Sequence, residues 1–332
     1  MFRKFKGVFV ERRTSSLYRE KLNFMKLRIK YIIAFILTAL MPIAVLGYLS
    51  YSSAKKALKE QAIEDLVVTA EAKEGHLYSF MEVNKGRALD FSSDGLIRDY
   101  AGILQKSATG SSRHRRIQKS LNTHLKRNKK SLDKSIQLID VIGIDGKVIA
   151  STDTGRIGTD ESLHECFIQG RNDVCWHDVH VSANTADSKK LLQIAVSAPL
   201  TDKQTGDLLG VIVNYYHASI LTKILSGEFQ VELGAPSGMA GRRKTYDIYL
   251  VNSDRLLITP SRFSGGVLTQ KVETFPVIAS ASGKEVGCIY KNFLGNEVIG
   301  ASMHIPARGW TLLVEISTDE AFSSVPKMRN RV

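Results

Sequence analysis

The sequence predicts an α+β protein: an N-terminal transmembrane helix and a long stalk helix, followed by two modules built on antiparallel sheets. Three observations predict it. An uncharged apolar run occupies residues 31–54, apolar residues then recur at spacings of three and four, and beyond residue 135 the period changes to alternation, twice over.

The apolar run comes first. Its 24 residues, at about 1.5 Å each, make roughly 36 Å of helix, enough for a hydrocarbon layer of about 30 Å. Pro42 falls inside it, where neighbouring groups in a membrane helix can satisfy the freed carbonyl. A buried core helix and a cleaved signal peptide are the alternatives. A signal peptide has an apolar stretch of only about 7 to 15 residues and ends at a small-residue cleavage site. This run starts at residue 31 and leads into LGYLSYSSAKK, which offers no convincing site, so it reads as an uncleaved anchor.

Residues 1–30 carry ten Lys or Arg against Glu11 and Glu20, a net of +8. Positive flanks stay cytoplasmic. The expected location is therefore the bacterial cytoplasmic (inner) membrane, crossed once, with the N-terminus inside and everything after Ala54 in the periplasm or extracellular space. Phe2, Phe5, Phe9 and Tyr18 would also let the arm lie on anionic lipid, although a topology signal is its simpler role.

The chain has 332 residues, 43% hydrophobic and 24% charged, a globular composition with enough length outside the membrane for one or two folded units. Its net charge of +13 looks like a nucleic-acid signal until it is located. The arm carries +8 and residues 101–135 carry +9, so the remainder has a net charge of −4. Because the second basic segment lies outside the cytoplasm in this topology, nucleic acid is not an expected partner, and a solvated helix face is.

After the anchor, Leu58, Ala62, Leu66, Ala70, Leu77, Phe80, Met81, Ala88 and Leu89 mark one helix face, with little Gly or Pro to interrupt it. Ile117, Leu121 and Leu125 mark a second helix, ringed by Arg113, Arg115, Arg116, Lys119, Lys126 and Arg127. Residues 135–152, SIQLIDVIGIDGKVIAST, then read as a hairpin around Asp145-Gly146. Strands LLQIAVSAPL and LLGVIVNYYH follow, and after the Gly-rich, basic stretch GAPSGMAGRRK the strand pattern starts again with YDIYLVNSDRLLITP, KEVGCIYKNFLGNEVIGASMHIP and WTLLVEIS.

This order of basic arm, span, long helix and two mixed modules resembles the double Cache sensor family. The first module matches in VIGIDGKVIASTDTGRIGTD and APLTDKQTGDLLGVIVNYY, the second in YLVNSDRLLITPS, CIYKNFLGNEVIG and GWTLLVEISTDEAF. The resemblance implies PAS-like (Cache) antiparallel-sheet modules. It divides the chain into an arm (1–30), a membrane helix (31–54), a stalk and basic helical segment (55–134), a membrane-distal module (135–233), a membrane-proximal module (244–325) and a tail (326–332). It also implies a small-molecule ligand in the distal module, no cofactor and a homodimer through the stalk. Lys327, Arg329 and Arg331 would then lead toward a second span and a signalling output, carried on missing chain or on a separate protein.

The amino-acid-binding subgroup of that family uses an Arg two positions before a Trp, a later Tyr, and an Asp in the strand equivalent to GVIVNYY. Here Trp176 is preceded by Val174 at the Arg position, the Tyr falls near Leu192 or Gln193, and the Asp falls near Asn214 or Tyr215. Without the Arg and Asp, the clamp for an α-carboxylate and α-amine is missing. The candidate ligand residues are Trp176, Asp178, His180, Asn214 and Tyr215, with Tyr215 sharing a strand face with Val211 and Val213. Core filling by Trp176 and a turn role for Asp178 are the alternatives.

Cys166 and Cys175 bracket a loop in an oxidising compartment, which favours a disulfide between them. His164, Cys166, Cys175, His177 and His180 are also a candidate set for zinc or copper, at a spacing that matches no standard motif. Cys288 reads as a core thiol. No P-loop, HExxH, nucleophile elbow or dinucleotide fingerprint occurs, and adjacent His177 and Asp178 would point to opposite faces of a strand, so no enzyme is expected. A membrane-anchored scaffold without a ligand and an exported enzyme remain the alternative functions.

Overall fold

Helical periodicity that runs out of the apolar segment, and that Pro42, Gly75 and Gly86 do not interrupt, produces one continuous helix, α1, Leu27–Ser93. The computed structural model describes residues 27–182, 191–228 and 244–323. The basic arm before Leu27, most of the Gly-rich stretch between the modules, and the tail with Lys327, Arg329 and Arg331 lie outside them.

By packing, the chain divides after Lys59. In the first unit α1 is long and apolar enough to cross a membrane, and its large apolar side chains from Leu27 to Leu49 are exposed. That is the surface a lipid-facing helix presents.

In the second unit the same helix is amphipathic. It buries Leu66, Ala70, Leu77, Phe80, Met81, Asn84, Ala88 and Phe91, a stripe at spacings of three and four. Asp94 ends the helix and caps the next, α2 (Gly95–Lys106), by accepting from the N–H groups of Leu96 and Ile97. Burial pushes the Asp94 carboxyl up, but Lys129, at 2.7 Å, together with the Ile97 N–H and His124 outweighs it and holds the group at about 2. Ser111 caps α3 (Ser112–His124), which continues through a π-helical turn and a 3-10 turn to Leu132. Leu121 and Leu125 are buried, while Arg113, Arg115, Arg116, Lys119, Lys126 and Arg127 face solvent as the sequence suggests.

Strands β1 (Ile136–Gly143), β2 (Val148–Ser151), β3 (Cys175–Val181), β4 (Leu192–Thr201) and β5 (Leu208–His217) form a sheet in the order β2-β1-β5-β4-β3. All its pairings are antiparallel. Gly146, at φ 80°, makes the turn of the β1–β2 hairpin. Helix α4 (Glu165–Gly170) precedes β3, and α5 (Ser219–Ser226) follows β5. Strands β6 (Asp247–Val251), β7 (Val286–Lys291), β8 (Glu297–Ile305) and β9 (Trp310–Ser317) form a second antiparallel sheet in the order β6-β9-β8-β7. Helix α6 (Phe275–Ser280) precedes β7, and α7 (Thr318–Ala321) follows β9.

Alternation along the strands divides each sheet into two faces. One face of each packs with α1 in a single apolar core that includes Leu77, Trp176, Tyr216, Ile299 and Leu312. The other faces carry separate, smaller clusters, one around Val211, Val213 and Tyr215 and one around Tyr249, Leu257 and Leu313. The two-module α+β architecture expected from the sequence is present, and the antiparallel pairing follows its strand–turn–strand pattern.

Candidate functional site

The register of the first sheet determines which side chains can meet. Trp176, Val196, Asn214 and Ile139 are consecutive cross-strand partners, and Trp176, Val196 and Ile139 belong to the core shared with α1. The next row, His177, Ala195, Tyr215 and Leu138, therefore faces away from α1, as do Ser197, Val213 and Asp140. Irregular pairing between His177 and His180 restores His180 to this outward face, beside Tyr215.

Helix α4 covers part of that face. Gly170 sits so close that a Cβ would stand 2.5 Å from Ser197 Oγ and 2.8 Å from a Val211 methyl, and Cys166 and Phe167 pack beside Val213 and Tyr215. What remains is polar and aromatic. His177 Nε2 and Ser197 Oγ are hydrogen-bonded at 2.7 Å, while His177 Nδ1 is buried with no partner among the described residues. Burial, with the electrostatic influence of Arg308, His164 and His180, pushes His177 down to about 3, so the imidazole is neutral at ordinary pH. His180 lies edge-on to His164 at 5.3 Å and to Tyr215 at 6.4 Å between ring centroids.

An ion triad supports this face. Arg156 donates through Nε to Asp140 Oδ2 at 2.9 Å and through Nη2 to Glu161 Oε1 at 2.8 Å, Nη2 is also ion-paired with Asp140 Oδ2 at 2.8 Å, and its guanidinium lies 5.7 Å from the Tyr215 ring centre. Burial pushes Asp140 upward and opposes charge on Arg156, but the carboxylates around Arg156 keep the guanidinium charged. These residues were not singled out from the sequence, although Asp140 inside the apolar strand SIQLIDVIG carried a signal. A carboxylate buried in such a run needs a cation.

The five candidate ligand residues do not form one cluster. His180 and Tyr215 share the outward face, while Trp176 and Asn214 face α1. Trp176 stacks on Tyr216, and its indole N–H donates to the Met81 carbonyl at 2.9 Å. Asp178 turns toward the second module, where its Oδ1 accepts from Trp310 Nε1 at 3.1 Å.

Cys166 and Cys175, the pair expected to bridge, stand as separate thiols in this structure. Cys166, on the buried side of α4, has its thiol pushed well up by burial, whereas Cys175 is half-buried at the first residue of β3, near the charges of Asp173 and Arg308. Among the described residues no three His, Cys, Asp or Glu side chains are arranged to hold a metal ion. His164 instead caps α4, accepting from the Cys166 N–H.

No family model and no curated protein matches the sequence. Solved structures do match. The ligand-binding domain of the Campylobacter jejuni chemoreceptor Tlp3, in complex with 4-methylisoleucine, superposes with a TM-score of 0.56 at 14% identity, over 81% of this chain and 96% of that one. The sensor domain of the V. cholerae histidine kinase DctB gives 0.55 at 12% identity, over 78% and 98%. The ligand-binding domain of the Pseudomonas aeruginosa PAO1 chemoreceptor PctB, in complex with L-Arg, gives 0.51 at 14% identity, over 80% and 98%. At these identities the likeness is one of fold. The chain shares the two-sheet fold of these ligand-binding and sensor domains.

Proposed function

We propose that the chain is a membrane-anchored sensor whose first module binds a small molecule on the outward face of its sheet and passes a conformational signal toward the membrane. The observation that carries this reading is the polar, aromatic tray of His177, His180, Ser197 and Tyr215, in which His177 Nδ1 is buried and unpaired among the described residues. A buried polar atom without a partner costs free energy that a ligand, or water in its place, relieves. Apolar and aromatic walls with a few fixed polar groups are what a small-molecule site requires.

The ligand is not an α-amino acid held by an arginine and aspartate clamp. Val174 packs as an apolar residue against the core, and Asn214 lies in the row that faces α1. Residues 1–30 remain cytoplasmic and the modules lie outside, as the charge of the arm favours. The stalk carries the signal, because α1 shares a core with both sheets. A ligand displaces it only by binding two states with different affinity. A homodimer through the stalk would cover Val68, Val83 and Leu89, which are exposed.

Thermal-shift screening of the full chain in detergent against a small-molecule library tests the reading. A hit is expected to raise Tm in the wild type and to lose that effect in Tyr215→Phe and His180→Ala. A shift that survives both substitutions would place binding elsewhere, and turnover of the hit would favour an enzyme.

A further inference from the structure

The second module holds a cavity of about 430 Å³ walled by β6, β8 and β9, the β7–β8 turn and Phe263. Its charged lining has one sign: Asp247, Glu297, Glu315 and Asp319, with no Lys, Arg or His. Glu297 and Asp319 are exposed, whereas Asp247 and Glu315 are only 4% and 1% exposed.

A group of carboxylates does not by itself define a site, but Glu315 adds a separate observation. Asp247 and Glu315 are directly opposite across β6 and β9, a like-charge pairing that destabilises a sheet. Asp247 is compensated locally, since its carboxylate accepts from the Ser261 hydroxyl and from the Arg262 N–H at 2.8 Å. Glu315 is compensated at one oxygen. Its Oε1 accepts from the hydroxyls of Tyr249 and Tyr290 at 2.8 and 2.5 Å, while Oε2 is buried with no hydrogen-bond partner among the described residues.

The arrangement depends on a glycine. Cys288, Gly300 and Glu315 are partners across β7, β8 and β9, and Tyr290 crosses over Gly300 to reach the carboxylate. A Cβ at Gly300 would stand 2.5 Å from the Tyr290 hydroxyl oxygen. Two tyrosines thus hold Glu315 at Oε1, and the residue lines the cavity beside Asn292. Burial and Asp247 push Glu315 up to about 7, against hydrogen bonds from Tyr290, Tyr249 and Asn292, so a second negative charge beside Asp247 is resisted.

We propose that this cavity is a second ligand site that takes a small organic cation, an amine whose ammonium group donates to Glu315 Oε2. Leu294 and Val298 join Phe263 in the lining and offer an apolar rest for its carbon chain. The exposed Glu297 and Asp319 attract the cation to the mouth. A metal ion is the poorer occupant, since among the described residues no group of three His, Cys, Asp or Glu is arranged to hold one.

Titration calorimetry of the full chain in detergent with n-butylammonium tests the assignment. One saturable site is expected, weakened roughly tenfold or more in Glu315→Gln, the loss anticipated for a charge-assisted hydrogen bond. Leu294→Lys alters an exposed turn residue and brings a tethered ammonium to the cavity wall, so it is expected to abolish binding in a chain that folds normally. Affinity is expected to rise between about pH 6 and 8 as Glu315 ionises; Asp247, Tyr249, Tyr290, Glu297 and Asp319 are the other titratable groups around it. Absence of saturable binding, equal binding of 1-butanol, calcium binding in place of the amine, or amine binding that survives both substitutions would each overturn the proposal. The site on the first sheet takes no part in this measurement, so either site can fail without the other.

Discussion

Trp310 of β9 donates its indole N–H to the carboxylate of Asp178 on β3, at 3.1 Å, and so ties the second sheet to the first. Trp310 is fully buried, and burial pushes the Asp178 carboxyl upward against the hydrogen bonds it accepts. Asp178→Ala leaves a buried indole donor without its partner and is expected to cost about 1–3 kcal/mol. Denaturant unfolding of Asp178→Ala, Trp310→Phe and the double variant should give a coupling energy of about 0.5–3 kcal/mol. Additive effects would show that the contact does not link the modules.

Trp176 packs within the core that the first sheet shares with α1. It stands between Phe80 of α1 and Tyr216 of β5, with ring centroids at 5.5 and 6.1 Å. Trp176→Ala should lower unfolding free energy by about 3–5 kcal/mol, and Trp176→Phe by less. A stability change below about 1 kcal/mol for the alanine variant would contradict the packing described.

Arg156 answers two buried carboxylates, so its removal leaves both without their cation. Arg156→Met should destabilise by about 3–5 kcal/mol. Replacing Asp140 and Glu161 by amides in the same chain should recover part of the loss, because the uncompensated charge is then gone. Unfolding curves for the wild type and the two variants decide it; an undiminished loss would assign the effect to packing alone.

Glu315 makes stability depend on pH in a definite direction. Its folded value of about 7 exceeds the ordinary 4.5, so between those values the folded chain holds a proton that the unfolded chain has released. The stabilisation is complete below about pH 4.5 and is lost as pH rises to about 7, by about 3 kcal/mol in all. The groups that face it are Asp247 and Tyr249 on β6 and Tyr290 on β7. The difference in unfolding free energy between the wild type and Glu315→Gln is therefore expected to fall across that window, measured at matched salt. A constant difference would place the carboxyl in an ordinary environment.

The fold was largely legible in the sequence because its signals are local. An uncharged run, a helical stripe from Leu58 to Leu89 and the Asp145-Gly146 turn each act through neighbouring residues, and each led to the element now seen. Strand β3 was harder. CWHDVHV has no clean alternation, because irregular pairing between His177 and His180 shifts the faces midway.

The candidate site was less legible for the same reason. Alternation alone places Tyr215 with Val211 and Val213, and the cluster around Tyr215 agrees. Trp176 and Asp178, however, look like neighbours of His180 until register sends Trp176 to the stalk and Asp178 to Trp310. The carboxylate of Glu315, with one oxygen held by two tyrosines from other strands, has no local signature at all. The sequence by itself determined the long N-terminal helix with its apolar start and the two alternating modules, since hydrophobic period and turn chemistry are properties of adjacent residues. Which polar groups were buried together, and which were left unpaired, was decided only by the tertiary structure, because strand register and helix packing bring together residues that lie dozens of positions apart.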